Sequence, residues 1–439
     1  MHSNLNEIDR MKKPAKTCYS FAILQVAINF SLVGVPLQAN DWPQWRGPQR
    51  NGVSQETGLL KQWPKEGPRL LWKVADIGSG YSTPAVVAER LYVAGNEGMD
   101  NEFVQARAVK DGKQAWSARL GKVGKNTGPN YPGARSTPTV DEDLLYALGS
   151  DGDLVCLQTA TGKPRWQKNL RTDFSGQPGQ WAYSESPLID GDILVCTPGG
   201  SSATLVALNK KTGDVIWKSS VPGGDPAAFA SAIIVSVGGV KQYVQFLGKG
   251  LVGVDAKTGK FLWRYDKTAQ GSPANIPTPI ARDAYIYSAT GKGGGLIKLK
   301  FNQGAVEVEE VYFTPKLPTS IGGAVLVGEY LYGTTGKALV CAEFTTGNLK
   351  WEDSSVAPGS VCYAEGRMYL HGQETGHVAL VEATAEAYRE KGRFTPPEQP
   401  DRGNPTSKAW AYPVVANGRL FIRDLSTLWC YDIKDPKTR

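Results

Sequence analysis

The chain has 439 residues, among them 50 Gly, 28 Pro and 12 Trp, a length that buries an ample core without disulfide staples. Its formal charge of +7 is mild for that size, and no run of Lys and Arg is interleaved with aromatics, which argues against nucleic acid as a partner. One of the six cysteines lies in the first 39 residues, and the remaining five cannot pair completely, so no disulfide framework is implied.

In chain order, residues 1–39 read as an export signal. Lys12, Lys13 and Lys16 precede an apolar run over 19–35, and Leu37-Gln-Ala39 offers a cleavage site. Gln25, Asn29 and Ser31 make the run a poor permanent span. Met11 is an alternative initiator, and Cys18 precedes the run, so it is misplaced for lipidation at a cleavage site. Four basic and two acidic residues leave with the signal, so the mature chain has 45 basic against 40 acidic residues, a balance of +5. No later segment is long and apolar enough to span a membrane. A soluble monomer in the periplasm or cell envelope is the expectation.

Residues 40–66 carry Trp42, Trp45 and Trp63 among Pro and Gly, without strand alternation. They read as an irregular arm, packed on the outer blades of the fold or, alternatively, offering its tryptophans for recognition. Next, Leu70-Leu-Trp72-Lys-Val is a strand with a tryptophan but no partner turn.

Five stretches then repeat one text: an apolar strand, a turn containing glycine, and a second strand with tryptophan four residues after the glycine. The pairs are Gly112/Trp116, Gly162/Trp166, Gly213/Trp217, Gly259/Trp263 and Gly347/Trp351, where chance would give about one. Gly304 keeps the turn but has Val308 at the tryptophan place, and a copy at Val381-Glu-Ala-Thr384-Ala385 has lost both. Cys156, Cys341 and Cys430 hold one place in their repeats and read as small buried residues. Residues 386–408 are polar and proline-rich and read as a loop.

Strand–turn–strand segments resembling Ser136-Thr-Pro-Thr-Val begin near Ser82, Ser136, Glu185, Ser231, Pro277, Gly322, Gly359 and Ala411. Each adds two strands to a glycine-turn pair, which makes four-stranded antiparallel blades. The chain ends on Leu428-Trp-Cys-Tyr-Asp432 with no strand after it, and the strand at Trp72 supplies the missing one. The expected fold is an all-β, eight-bladed propeller over residues 67–439, closed by the N-terminal strand, with seven blades as the alternative.

The repeated Thr-Gly-x-x-x-Trp text at this spacing resembles the pyrroloquinoline-quinone-type β-propeller repeat. That family includes the propeller of the outer-membrane barrel-assembly machinery and the quinoprotein dehydrogenases. The resemblance implies that the glycine turns and tryptophans, with Trp72, dock neighbouring blades. It also raises quinone chemistry. Quinoprotein alcohol dehydrogenases use adjacent cysteines in a disulfide and Ca²⁺ on carboxylate and amide oxygens, and here no two cysteines are adjacent and no such cluster is legible. His371 and His377 have no supporting ligand pattern, and no metal site is expected.

Function on such a ring belongs where the loops entering the inner strands converge. Those loops offer Tyr81, Tyr131, Arg135, Trp181, Tyr183, Glu185, Asn275, Lys408 and Trp410, aromatics beside fixed charges that suit a polar ligand or an extended peptide. Arg135 and Glu185 can instead pair with each other or with backbone. The loops at 121–135 and 171–184 are the longest. The leading expectation is a non-catalytic scaffold for a protein or an envelope polymer, without cofactor. The alternatives are a quinone- and Ca²⁺-dependent dehydrogenase with a divergent site, and a carbohydrate-binding propeller using Trp181, Tyr183 and Trp410.

Overall fold

Inner strands such as Leu144–Leu148 are apolar throughout and buried throughout, whereas outer strands such as Gln114–Gly121 mix polar and apolar residues and are largely exposed or half-buried. Sheets with one covered edge and one wet edge suit radial stacking, and that is the architecture. The computed structural model describes residues 40–125, 133–269, 274–302, 305–318, 321–356, 358–403 and 407–438. Among the described residues eight antiparallel sheets succeed one another along the chain, with a short α-helix, Leu170–Asp173, between the second and third. Blades 1 to 8 open with inner strands Ala85–Val87, Thr139–Asp141, Leu188–Asp190, Ile233–Val237, Ile280–Arg282, Ala324–Val327, Gly359–Ala364 and Val414–Ala416.

The ring closes as the sequence implies. Arg69–Val74 pairs antiparallel with Thr427–Asp432 and is the outer strand of blade 8. The degenerate copy near Thr384 is a full blade, so seven blades is excluded. Part of the stretch read as a loop, Glu390–Phe394, is its outer strand. Blade 7 also gains a fifth, parallel strand, Val53–Ser54, from the arm.

Each outer strand bulges at the residue before one fixed position, which holds an aromatic in every blade but the seventh, and the bulge aims the docking rings at the next blade. Trp72, Trp116, Trp166 and Trp217 lie over Gly112, Gly162, Gly213 and Gly259, so close that an added Cβ would meet ring carbons at 2.9 Å or less. Their indoles donate to the carbonyls of Val109, Thr159, Lys210 and Ala256, each three residues before the glycine. Trp351 donates to Thr384 O in the same way. Trp263 departs from the pattern: its nitrogen donates to Gln242 Oε1 of its own blade at 2.6 Å, and Gly304 lies outside the described residues.

Two repeats that seemed to have lost the lock have replaced it. In blade 5 the last hairpin is long, Gly293–Asn302 with Ala305–Thr314, so the aromatic position falls at Tyr312 and not at Val308. Tyr312 covers Gly347 and donates to Phe344 O. In blade 7 the position is Gly392, against which the Trp63 backbone and Cβ pack, while the Trp63 ring meets Phe394 and Tyr369. The residue paired with the aromatic is small where a tryptophan sits: Ala106, Cys156, Ala207, Gly253, Cys341 and Cys430. Where tryptophan is absent the pair is Leu296 with Tyr312 and Leu380 with Gly392. The larger Leu296 accompanies the smaller ring of Tyr312, and at the Leu380–Gly392 pair Trp63 of the arm fills the space, as close packing requires. Among the described residues no helix is long and apolar enough to cross a membrane.

Candidate functional site

The arm divides in two: Trp63 docks on the outer strand of blade 7, as outer packing predicts, whereas residues 42–54 contact the inner strands of the ring. Trp42 exchanges backbone hydrogen bonds with Val86 of blade 1, and Pro43 O accepts from Val140 N of blade 2. Arg50 donates to Ser186 O and Pro187 O at the entry to blade 3, and Arg46 donates to Ala324 O of blade 6. Ser54 Oγ donates to Val415 O of blade 8. The irregular, Pro- and Gly-rich text follows from this path, since a segment touching inner strands of many blades in turn cannot alternate like a strand. Arg46 and Arg50 both adopt positive φ, at 59° and 56°.

Trp45 is the turning point. Its indole donates to Thr278 Oγ1 at 2.8 Å, and its ring meets Tyr412 edge-on, with centroids 4.8 Å apart. Tyr412 in turn donates to Ile321 O, and the Arg46 guanidinium lies 5.6 Å from its ring centroid. These two rings line a cavity of about 540 Å³ at the end where the loops entering the inner strands converge. Tyr81 and Trp410 (4.9 Å) and Trp181 and Phe229 (5.7 Å) form aromatic pairs in its wall, completed by Ile276, Ile321, Arg135, Ser184 and Gln373. A second concavity, of about 360 Å³, lies against Gln44 and residues 48–51 of the arm and blades 3 to 5.

Of the residues expected at this mouth, Tyr81, Arg135, Trp181 and Trp410 line the cavity. Arg135 does not pair with Glu185. Its Nη1 donates to Trp181 O (2.7 Å) and Gly133 O (3.1 Å). Glu185 is buried between blades 3 and 4, accepting from Thr197 N, Thr197 Oγ1 and Gln245 Nε2. Burial pushes its carboxyl up to about 7, against the hydrogen bonds from Thr197 and the charge of Arg50. Tyr183 is buried and donates to Pro198 O, and Asn275 is buried and donates to Leu247 O and Gly248 O. Both hold loops in place. Lys408 stands outside the lining, ion-paired with Glu374. Tyr131 lies outside the described residues. Phe229 and Tyr412 were legible two residues before Ser231 and directly after Ala411. Trp45 was not, because the repeat pattern does not record the path of the arm.

The described lining contains no carboxylate side chain and one cation. A Ca²⁺-bound quinone bearing three carboxylates needs oxygen ligands for the ion and several cations, so these residues do not fit it. His371 is buried with Nδ1 3.0 Å from Ala411 O, and burial lowers its pKa. Among the described residues no group of three or more His, Cys, Asp or Glu is placed to hold a metal.

Residues 100–353 match the profile of the PQQ-repeat family described as outer membrane protein assembly factor BamB. The chain is 26% identical over 303 residues to outer membrane protein assembly factor BamB of Nitrosomonas eutropha, covering 66% of each protein. It is 25% identical over 293 residues to quinoprotein alcohol dehydrogenase PedH of Pseudomonas putida, covering 65% of this chain and 44% of that one. The match thus spans about two thirds of the first relative and less than half of the second. Among solved structures, BamB from Moraxella catarrhalis superposes with a TM-score of 0.58 at 15% identity, over 85% of this chain and all of that one. Quinohemoprotein alcohol dehydrogenase ADHIIG from Pseudomonas putida HK5 gives 0.59 at 12% identity, over 91% and 81%. Likeness at these identities establishes the shared propeller fold.

Proposed function

The chain belongs to the PQQ-repeat family described as outer membrane protein assembly factor BamB, and from that premise we propose that it is a non-catalytic scaffold of the bacterial cell envelope. The aromatic cup holds a segment of another protein. The observation that carries this reading is the character of the cup: apolar and aromatic, walled by loops from around the ring, with Trp45 of the chain's own arm in its lining. Such a surface gains from excluding water from a docked apolar segment. An envelope polysaccharide is less well supported, because sugars call for many side-chain hydrogen bonders and this wall supplies few. Export through residues 1–39 and a monomeric state belong to the same proposal.

The BamB relatives favour the scaffold, whereas the dehydrogenase relatives favour a quinone enzyme, and the lining chemistry favours the first. The test is genetic. Deleting the gene in the source bacterium should lower the amount of assembled outer-membrane protein. The wild-type chain should restore it, and a Trp181→Ala/Trp410→Ala double variant should not. An unchanged outer-membrane profile on deletion overturns the scaffold. Stoichiometric quinone uptake with Ca²⁺ and dye reduction would establish the enzyme instead.

A further inference from the structure

We infer that the second concavity, beside the arm, is a binding site for a small aliphatic carboxylate, with the carboxylate against Arg50 and the hydrocarbon body against Ile189, Ile234 and Ile280. The site is separate from the aromatic cup, and the inference goes beyond the scaffold reading without resting on it.

Three observations carry it. The first is the space. The arm bonds to the inner strands of blades 1, 2, 6, 7 and 8, through Trp42 to Val86, Pro43 to Val140, Arg46 to Ala324, Gly52 to Tyr363 and Ser54 to Val415. Among the described residues, the inner strands Ile233–Val237 of blade 4 and Ile280–Arg282 of blade 5 receive no hydrogen bond from it. A concavity of about 360 Å³ lies between these strands and residues 48–51 of the arm, at the small end of the range of ligand pockets, about 300–1,000 Å³.

The second is an uncompensated charge. Arg50 is the charged side chain of the described lining, and it is only 4% exposed. Its Nη1 donates to Gln44 Oε1 (3.0 Å) and Pro187 O (3.1 Å), and its Nη2 donates to Ser186 O (2.8 Å). All three acceptors are neutral, and the buried Nε has no partner. Burial takes the Arg50 pKa down to about 10, against the through-space effect of Glu185. The Glu185 oxygens are engaged by Thr197 and Gln245, and among the described residues no carboxylate forms an ion pair with Arg50. A buried guanidinium without a counter-ion is costly, so an anion that reaches it relieves that cost. A carboxylate matches the planar fork of donors.

The third is the wall. Leu188, Ile189, Ile233, Ile234 and Ile280 line it, and the described lining holds no aromatic ring. Ile234 is 38% exposed, large for an isoleucine on an inner strand, and a hydrocarbon chain would cover it. The described lining has no second cation, so a phosphate with its greater charge is poorly matched.

Calorimetric titration of the full chain with octanoate, and with its neutral counterpart octanamide, tests the site. Octanoate should bind at one site, at least tenfold more tightly than octanamide. Arg50→Gln should erase that preference, and Arg50→Lys should keep part of it. Ile234→Trp, a change at an exposed position, should fill the concavity and abolish octanoate binding while circular dichroism shows the ring intact. Equal binding of acid and amide to the wild type overturns the inference without reliance on any variant, as does the absence of saturable octanoate binding. Loss of octanoate binding in Arg135→Gln but not in Ile234→Trp would place the ligand in the cup and overturn it as well. Displacement of octanoate by equimolar inorganic phosphate would refute the aliphatic carboxylate class. None of these outcomes bears on outer-membrane assembly in the deletion strain, so the scaffold reading stands or falls separately.

Discussion

Trp45 and Tyr412 meet edge to face at 4.8 Å and 72°, joining a residue of the N-terminal arm to the entry of the last blade. The pair makes the arm part of the site. Trp45→Ala should therefore act twice. It removes the edge-on contact and the bond to Thr278, at a cost of about 1–3 kcal/mol for a half-buried ring. It also deepens the cup. Trp42→Ala, at a fully buried position of the same arm, should cost more, about 3–5 kcal/mol. Urea unfolding of the two variants checks the order. Equal, negligible losses would mean that the arm is not docked in the channel.

The glycine of each docking turn serves two needs, and substitution separates them. Gly259 has φ +72°, and an added Cβ would meet Trp217 ring carbons at 2.5 Å. Gly366 has φ +75° with nothing within 4 Å of its Cβ site. Gly366→Ala should cost only the backbone strain, about 1 kcal/mol. Gly259→Ala must add displacement of the ring and loss of its bond to Ala256 O, for about 3 kcal/mol in all. Similar losses in denaturant titrations of the two variants would refute the docking account.

Cys156 lies opposite Trp166 in register, as Cys341 does opposite Trp351 and Cys430 opposite Trp72. The thiols are buried and free of disulfides, and burial raises the Cys156 thiol to about 12, so they act as small apolar fillers. Cys156→Ala should be nearly silent in stability. Cys156→Leu should overpack the strand and cost about 1–3 kcal/mol. Thermal melts of the pair, with near-ultraviolet dichroism of the tryptophans, distinguish a packing role from a chemical one.

These pairs also show how the sequence encodes the fold. The Gly-to-Trp spacing marks blades because it records local hairpin geometry plus one contact to the next blade. Closure by Trp72 was legible because the final strand, ending at Cys430-Tyr-Asp432, lacked a successor. The blade 5 lock at Tyr312 was hidden because a longer hairpin moved the bulge, and fixed counting from Gly304 landed on Val308. The blade 7 replacement was hidden because Trp63 comes from over 300 residues earlier in the chain. The site divides the same way. Tyr81, Arg135, Trp181 and Trp410 precede countable strands, whereas Trp45 arrives on a segment without period. Tyr183, Glu185 and Asn275 share those loops but point inward, and a loop position does not specify side-chain direction.

Glu102 connects stability to pH. It is buried in blade 1 and its Oε2 accepts from Ser150 N and Oγ of blade 2. Burial raises its carboxyl to about 7, only partly offset by those bonds and by the charge of Arg135. The folded state therefore holds its proton more tightly than the unfolded chain, whose carboxyl has the ordinary value of 4.5. Stability from this group is fully present below about pH 4.5 and is lost as pH rises through about 7. The shift corresponds to about 3 kcal/mol. Glu185, also raised to about 7, adds a loss in the same window. The wild type should thus be less stable at pH 8 than at pH 5. Glu102→Gln keeps an acceptor for Ser150 and carries no charge, so it should flatten much of that slope and exceed the wild type at pH 8. Urea midpoints at both values decide it. A wild type equally stable at pH 5 and 8 would mean that Glu102 is solvated in the folded ring and not held between its blades.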